Sequence, residues 1–256
     1  MKKYLLLLCA LMPFSLLADE IVKRKIMVSG YVWPPFVELN GREYQGLTLD
    51  LIDAANAVQG DFIFEFILTT PDNRHKDFYQ KKFDMMFFED IDWDWLAYPV
   101  SASTPLIKGT ELFIALDKTG RTETFFQELN KKSLSAVAGM HYSFAGQNSD
   151  EKYLKEHFNI RLMPTPADVL QDVLQDKAEI GVINSISLEQ AFLQDPGLKK
   201  KILISKKIDQ DFVLSILNRN NSAMSIEQVN LMIDRLKKEG ILDKLWEKYN
   251  IKPNVK

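Results

Sequence analysis

Between residues 87 and 95 the chain reads Phe87-Phe88-Glu89-Asp90-Ile91-Asp92-Trp93-Asp94-Trp95. Four carboxylates interleaved with two tryptophans suit one kind of chemistry. Indole faces attract organic cations, and carboxylates neutralise them. The stretch therefore points to a cationic or amine-bearing ligand, held by Phe88, Glu89, Asp92 and Trp93. Trp33, in Trp33-Pro34-Pro35-Phe36, offers a further stacking platform from another loop. The plain alternative is that Asp92 and Asp94 are solvated loop charges and that Trp93 or Trp95 fills a core. A second group of interest is Gly139-Met140-His141-Tyr142, where a strand gives way to a turn. His141 there could donate to a ligand oxygen or respond to pH; otherwise it is a surface loop histidine.

Other chemistries find less support. Glu89 with Asp92 could act as an acid/base pair, which is the enzyme reading. There is no Ser-His-Asp order, no metal-ligand spacing and no phosphate loop. The three histidines, His75, His141 and His157, are dispersed, and the single cysteine is Cys9. No metal and no cofactor is expected. With 32 basic and 35 acidic residues and no basic cluster, nucleic acid is not an expected partner.

The first residues read as an address label. Lys2 and Lys3 precede an apolar run, Tyr4 to Met12, too short to span a bilayer, and Pro13 breaks it. Ala18 supplies a small residue for cleavage before Asp19. A secretory signal peptide over residues 1–18 is expected, and with it a periplasmic protein. Its removal takes away Cys9, Lys2 and Lys3, leaving a formal charge of −5 and no thiol.

The elements that must position these residues alternate. Strands are predicted at Lys25–Ser29, Phe62–Leu68, Asp84–Phe88, Glu111–Leu116, Leu134–Ala138, Ile160–Met163, Ile180–Ile183 and Phe212–Leu217. Helices are predicted at Leu47–Ala57, Arg74–Lys82, Thr122–Leu129, Asp150–His157, Ala167–Lys177 and Leu188–Gln194. The two prolines of Trp33-Pro34-Pro35-Phe36 dictate a loop. Ser225 and Gln228 form a capping box that opens a helix, Gly240 closes it, and Leu242–Tyr249 is a last short helix. The alternation predicts an α/β fold. No structureless linker separates the two blocks of strands, so they should exchange strands rather than follow one another.

Four stretches carry a likeness to a known family. They are Trp33-Pro34-Pro35-Phe36, Gln45-Gly46-Leu47-Thr48-Leu49-Asp50-Leu51-Ile52, Lys82-Phe83-Asp84, and the closing run from Leu236 to Tyr249. In this order and spacing the chain resembles the family 3 extracellular solute-binding proteins, the bacterial amino-acid-binding type. The resemblance implies a two-lobed, type II periplasmic-binding-protein fold in which two crossing strands form a hinge. One lobe would comprise residues 19–110 and 211–256, the other 111–210. It further implies a ligand cleft between the lobes, hinge closure, a membrane transporter permease as partner, and a monomer. The same fold also carries dehydratase-like and lytic enzymes, and a ligand-presenting subunit for a membrane sensor is a further alternative.

Measured against that family pattern, the arginine that holds an α-carboxylate falls on Leu96, and the acidic residue that holds the amino group falls on Asn184. Leucine brings neither charge nor hydrogen bond, and Asn brings no charge. Lys108 and Arg121 are the alternative cations. The cleft is accordingly expected to bring Trp33 and the Phe88–Trp93 loop opposite Met140, His141, Tyr142 and Asn184. It should disfavour a standard α-amino acid unless a charge from elsewhere substitutes, refuse glutamate and aspartate, and take an amine or an uncharged solute stacked on Trp33.

Overall fold

A computed structural model describes residues 23–255. The leader expected over residues 1–18 lies outside the described residues. The strands are β1 (Arg24–Gly30), β2 (Glu38–Asn40), β3 (Glu43–Gln45), β4 (Phe62–Leu68), β5 (Met85–Glu89), β6 (Val100–Ala102), β7 (Ile107–Leu116), β8 (Leu134–Val137), β9 (Ile160–Met163), β10 (Ile180–Asn184) and β11 (Ile202–Arg219). The helices are α1 (Leu47–Val58), α2 (Arg74–Tyr79), α3 (Glu151–His157), α4 (Pro166–Leu174), α5 (Ser185–Gln194), α6 (Ile226–Lys238) and α7 (Ile241–Lys248).

Strand order explains how two sheets become one. The path is β4-β1-β5-β11-β7-β10-β8-β9, with β6 also paired to β11. β1 is parallel to β4 and β5, and β8 is parallel to β9 and β10. Parallel strands with helical crossovers are buried on both faces, which is why β5 and β10 are buried along their whole length. The two halves meet at β7 and β11, an antiparallel pair running from Ile202↔Leu116 to Leu214↔Ile107. The far end of β11 then pairs with β5 and β6. The register shifts around Ile208, and an irregularity of this kind bends a strand locally.

Cores follow the sheets. One cluster packs β1, β4 and β5 against α1, α6 and α7, through residues such as Ile26, Leu51, Met85, Leu236 and Trp246. The other half has a core on each face of its sheet. Phe113, Leu134, Tyr142 and Val182 lie on one side; Ile114, Val169, Ile183 and Leu188 lie on the other. Neighbouring β7 residues thus alternate between the two cores, as the two-residue period of a strand requires.

Two predicted elements differ. Thr122–Leu129 is not a helix but two short 3-10 turns, Glu123–Phe126 and Leu129–Lys131, separated by Glu128 in a left-handed conformation at φ 55°. The strand predicted at Phe212–Leu217 begins ten residues earlier, at Ile202. Its polar stretch Ser205–Asp211 hides the strand pattern because those residues cross between the lobes, where no single core selects apolar side chains. The capping box at Ser225 and Gln228 is present as expected. Among the described residues no helix is long and apolar enough to cross a membrane.

Candidate functional site

A small cavity lies where the lobes meet. Trp33 and Trp93 come from the first lobe, Met140, Tyr142 and Asn184 from the second, and Glu111 from the crossing strand β7. The cavity holds about 10 Å³, room for roughly one water molecule. The lobes are therefore closed on each other.

Each wall has its own support. Trp33 follows β1 and is 3% exposed. Its ring stacks on Tyr31 at 6.1 Å and lies 6.3 Å from Trp93 and 6.4 Å from Phe212. Phe212 in turn sits 5.7 Å from Trp93. The Phe212 ring fits because β7 has glycine at 109; a Cβ there would stand 2.2 Å from it. Tyr142 presents its ring but not its hydroxyl. That group accepts from the Val137 amide at 2.8 Å and donates to the Val137 carbonyl at 2.9 Å. Asn184 caps α5, its Oδ1 accepting from the Ser187 amide at 2.8 Å, so its Nδ2 is the group left to face the cavity.

Glu111 differs from the rest. It stands opposite Asn184 on β10 and Gln210 on β11. The residue is 8% exposed. Burial pushes its carboxyl up to about 8, and the like charge of Asp209 adds to the effect.

Behind the cavity wall lies an ion pair. Arg74, 1% exposed, opens α2, and Glu89, fully buried, ends β5. Arg74 Nε stands 2.8 Å from Glu89 Oε1, although its N–H direction misses that oxygen, so this contact is an ion pair without a hydrogen bond. Glu89 accepts instead from Trp95 Nε1 at 2.9 Å and from the Tyr31 hydroxyl at 3.1 Å. Burial raises the Glu89 carboxyl while the Arg74 charge and these donors pull it back.

Several contacts cross between the lobes and hold them shut. Trp33 Nε1 donates to Ser187 Oγ at 3.1 Å. Arg74 Nη1 donates to the Gly139 carbonyl at 3.1 Å. His141 Nε2 lies 2.7 Å from Asp94 Oδ2, and its Nδ1 lies 3.4 Å from Arg74 Nη2. Arg74 can only donate, so Nδ1 accepts and Nε2 carries the proton given to Asp94. Burial lowers the His141 pKa first; the bond to Asp94 opposes this, and the Arg74 charge adds to it.

Of the residues expected at the site, Trp33, Trp93, Met140, Tyr142 and Asn184 come together around the cavity. Phe88, Glu89, Asp92 and His141 do not line it. Phe88 packs into the first core against Phe36, at 4.8 Å, and Trp246. Glu89 is consumed by Arg74, Trp95 and Tyr31. Asp92 is exposed to solvent. His141 turns toward Asp94 at the outer mouth, in a groove with Asp72 and His75. Phe88 and Asp94 have left-handed backbone, at φ 59° and 61°, which turns the chain at the end of β5 and in its following loop, and these residues point in different directions rather than into one cleft. For the same reason Glu89 and Asp92 form no acid/base pair in the cavity. Leu96 is 73% exposed and off the cleft. Arg121 donates to the Leu116 carbonyl and lies over Phe125. Among the described residues no group of three metal-ligating side chains converges.

Two residues were missed by sequence reasoning, and each left a signal. Arg74 is a cation in the first turn of a helix, the end that favours anions, which marks it as serving something outside the helix. Glu111 shares a strand face with Phe113 and Ala115, both core residues, so the alternation alone points it inward.

No family model matches the sequence. It is 25% identical over 141 residues to the probable amino-acid-binding protein YxeM of Bacillus subtilis, covering 55% of this chain and 51% of that one. The chain thus spans about half the length of the curated relative it matches. A substrate-binding protein of an ABC uptake transporter from Streptococcus pneumoniae, solved with bound histidine, superposes with a TM-score of 0.70 at 15% identity, over 88% of this chain and 92% of that one. The GluR0 ligand-binding core from Nostoc punctiforme, solved with L-glutamate, gives 0.66 at 18% identity over 88% and 98%. Both solved structures cover 88% of this chain, and the chain has the type II periplasmic-binding-protein fold, the fold of amino-acid-binding proteins.

Proposed function

We propose that the chain is a periplasmic solute-binding protein that captures a small, amine-bearing solute of the amino-acid type between its lobes. It delivers that solute to the permease of an ABC-type transporter. The observation that carries this reading is the cavity itself. Its walls come from both lobes, and the contacts that seal it, Trp33–Ser187, Arg74–Gly139 and Asp94–His141, all run from one lobe to the other. A site built this way is completed only as the lobes come together, so a solute held between them shifts the protein toward closure; at about 10 Å³ the cavity admits such a solute only with the lobes further apart than here. Trp33, Trp93, Met140, Tyr142 and Asn184 are its ligand-facing residues. The hinge lies in β7 and β11 near residues 110 and 210, the protein acts as a monomer, and the leader is removed near Ala18. Binding is favoured over catalysis because the two carboxylates best placed in sequence to act together, Glu89 and Asp92, are respectively paired and solvent-facing.

The reading is tested by a thermal-shift screen of the secreted protein against amines, amino acids, short peptides and organic acids, followed by calorimetry. Solutes that bind only the folded form raise its unfolding temperature by mass action. An amine-bearing amino acid or derivative is expected to do so, and Trp93→Ala to abolish the response. A protein indifferent to the whole panel, or a response undisturbed by Trp93→Ala, would refute the cleft.

A further inference from the structure

Glu111 is the one acidic wall of the cavity, and its surroundings leave it without a counter-charge. The groups that face it come from every neighbouring element. On β11 are Gln210 and Asp209, and the latter's carboxylate accepts from the Ser143 and Phe144 amides at 2.8 Å each. β10 brings Asn184, a neutral amide. The turn after β8 brings Tyr142, its hydroxyl tied to Val137. From the first lobe come the indoles of Trp33 and Trp93, with Tyr31 behind them. The charge acting on Glu111 is that of Asp209, of the same sign. Among the described residues no hydrogen bond reaches its carboxyl group. The residue keeps 8% exposure and lines the cavity, so its carboxyl is open to a group that enters there, and ionising it without a donor or cation is costly.

We propose that Glu111 reads the charge of the captured solute: it receives an ammonium or guanidinium group, flanked by the faces of Trp33 and Trp93, so the cleft takes organic cations over their neutral isosteres. The inference rests on the cleft reading given above. Indole faces and a carboxylate are together the two groups that stabilise a desolvated organic cation. Because burial pushes the ligand-free carboxyl up to about 8, the closed cleft at neutral pH holds a proton on Glu111. Cation capture replaces it, and the proton leaves to solvent. One positive charge enters as one departs, so the buried cavity never carries a net charge.

The test compares wild type with Glu111→Gln by calorimetry at pH 7, using L-arginine with its neutral isostere L-citrulline, L-lysine with L-norleucine, and agmatine. Wild type should bind the cationic member of each pair at least about tenfold more tightly. Glu111→Gln should lose at least about tenfold in affinity for that member, the worth of one charge-assisted hydrogen bond, while its affinity for the neutral member stays within about threefold. Unchanged cation affinity in Glu111→Gln, or wild-type preference for the neutral isosteres, overturns the proposal and leaves the cleft reading standing. Failure of every probe to bind wild type overturns the proposal, and the cleft reading falls with it only if the wider thermal-shift screen also finds no solute. The ligand-free unfolding temperature is a second readout. It should not fall in Glu111→Gln; a fall would reveal an internal partner for the carboxyl and overturn the proposal independently of any ligand.

Discussion

Asp94 and His141 belong to different lobes, and their side chains meet at 2.7 Å. His141 is 3% exposed and has a guanidinium on its other side, so it is held neutral with its proton on Nε2. Its pKa is lowered from 6.5 by burial, with the Arg74 charge adding to the shift and Asp94 opposing it. His75, beside the same groove, is lowered to about 4 for the same first reason.

The sign of the pH dependence follows. A histidine with a depressed folded pKa takes up its proton more readily when the structure opens or unfolds. Its contribution to the closed form is fully present above about pH 6.5 and is lost as pH falls below that. Unfolding temperature and lobe closure should therefore both decline as pH falls below 6.5. Scattering curves should show the radius of gyration rising over the same window. His141→Gln should flatten the part of the decline that His141 causes. A profile identical to wild type would remove His141 from the account.

Gly139 permits the closest approach of the lobes. A Cβ at this position would stand 2.4 Å from Asp72 Oδ1 and 3.0 Å from Pro71 Cβ, and the residue has φ 71°. Gly139→Ala should cost the fold about 1–2 kcal/mol for the left-handed conformation. Its larger effect should be on closure. Solution scattering should find the variant more extended than wild type while circular dichroism finds the same secondary structure. A variant as compact as wild type would mean that the turn carrying residue 139 can give way.

Much of this arrangement was legible from the chain. Alternating strand and helix patterns, the Trp33-Pro34-Pro35-Phe36 loop and the Ser225–Gln228 capping box locate most elements. Trp33 and Trp93 stand out as aromatic residues beside strand ends, and Asn184 is reached only through the family pattern, as the position of its acidic residue; all three line the cavity. The acidic-aromatic stretch misled for a definite reason. Its composition is uniform, but its residues point in different directions: Phe88 and Trp95 into the core, Glu89 to a partner that is 15 residues away in sequence, Asp92 to water. Composition carries no direction, and only strand periodicity and long-range pairing do. Arg74 and Glu111 were overlooked because each sits in an element that already had an ordinary explanation, a polar helix and the start of a strand.

The Arg74–Glu89 pair should prove structural. Both residues are essentially free of solvent, and removing one partner of a buried pair leaves an uncompensated charge, at a cost of about 3–5 kcal/mol. Arg74→Met should destabilise by that order in urea unfolding. Adding Glu89→Gln to it should recover a large part of the loss, since the neutral amide can accept from Trp95 through its oxygen and donate to the Tyr31 hydroxyl through its nitrogen. Were Arg74 instead a free clamp for ligand, its replacement would weaken binding and leave unfolding unmoved.

Glutamate and aspartate should be refused, although the GluR0 core binds L-glutamate on the same fold. A second carboxylate needs a cation, and the cavity wall has none. Two arginines are buried among the described residues, Arg74 and Arg219. Arg74 is neutralised by Glu89, and Arg219 donates to the Phe78 and Phe83 carbonyls inside the first core. The acidic side chain would also meet Glu111. If Glu111 is ionised, a like-charge contact near 4 Å costs roughly 4 kcal/mol at an effective dielectric near 20, about a thousandfold in affinity. If it is protonated, it satisfies one oxygen and leaves the rest of the carboxylate desolvated. Either way the acidic amino acids should bind at least about a hundredfold more weakly than L-arginine in competition calorimetry. Micromolar binding of either one would show that a cation reaches the cleft from elsewhere, with Lys108 on β7 the first to replace by methionine in locating it.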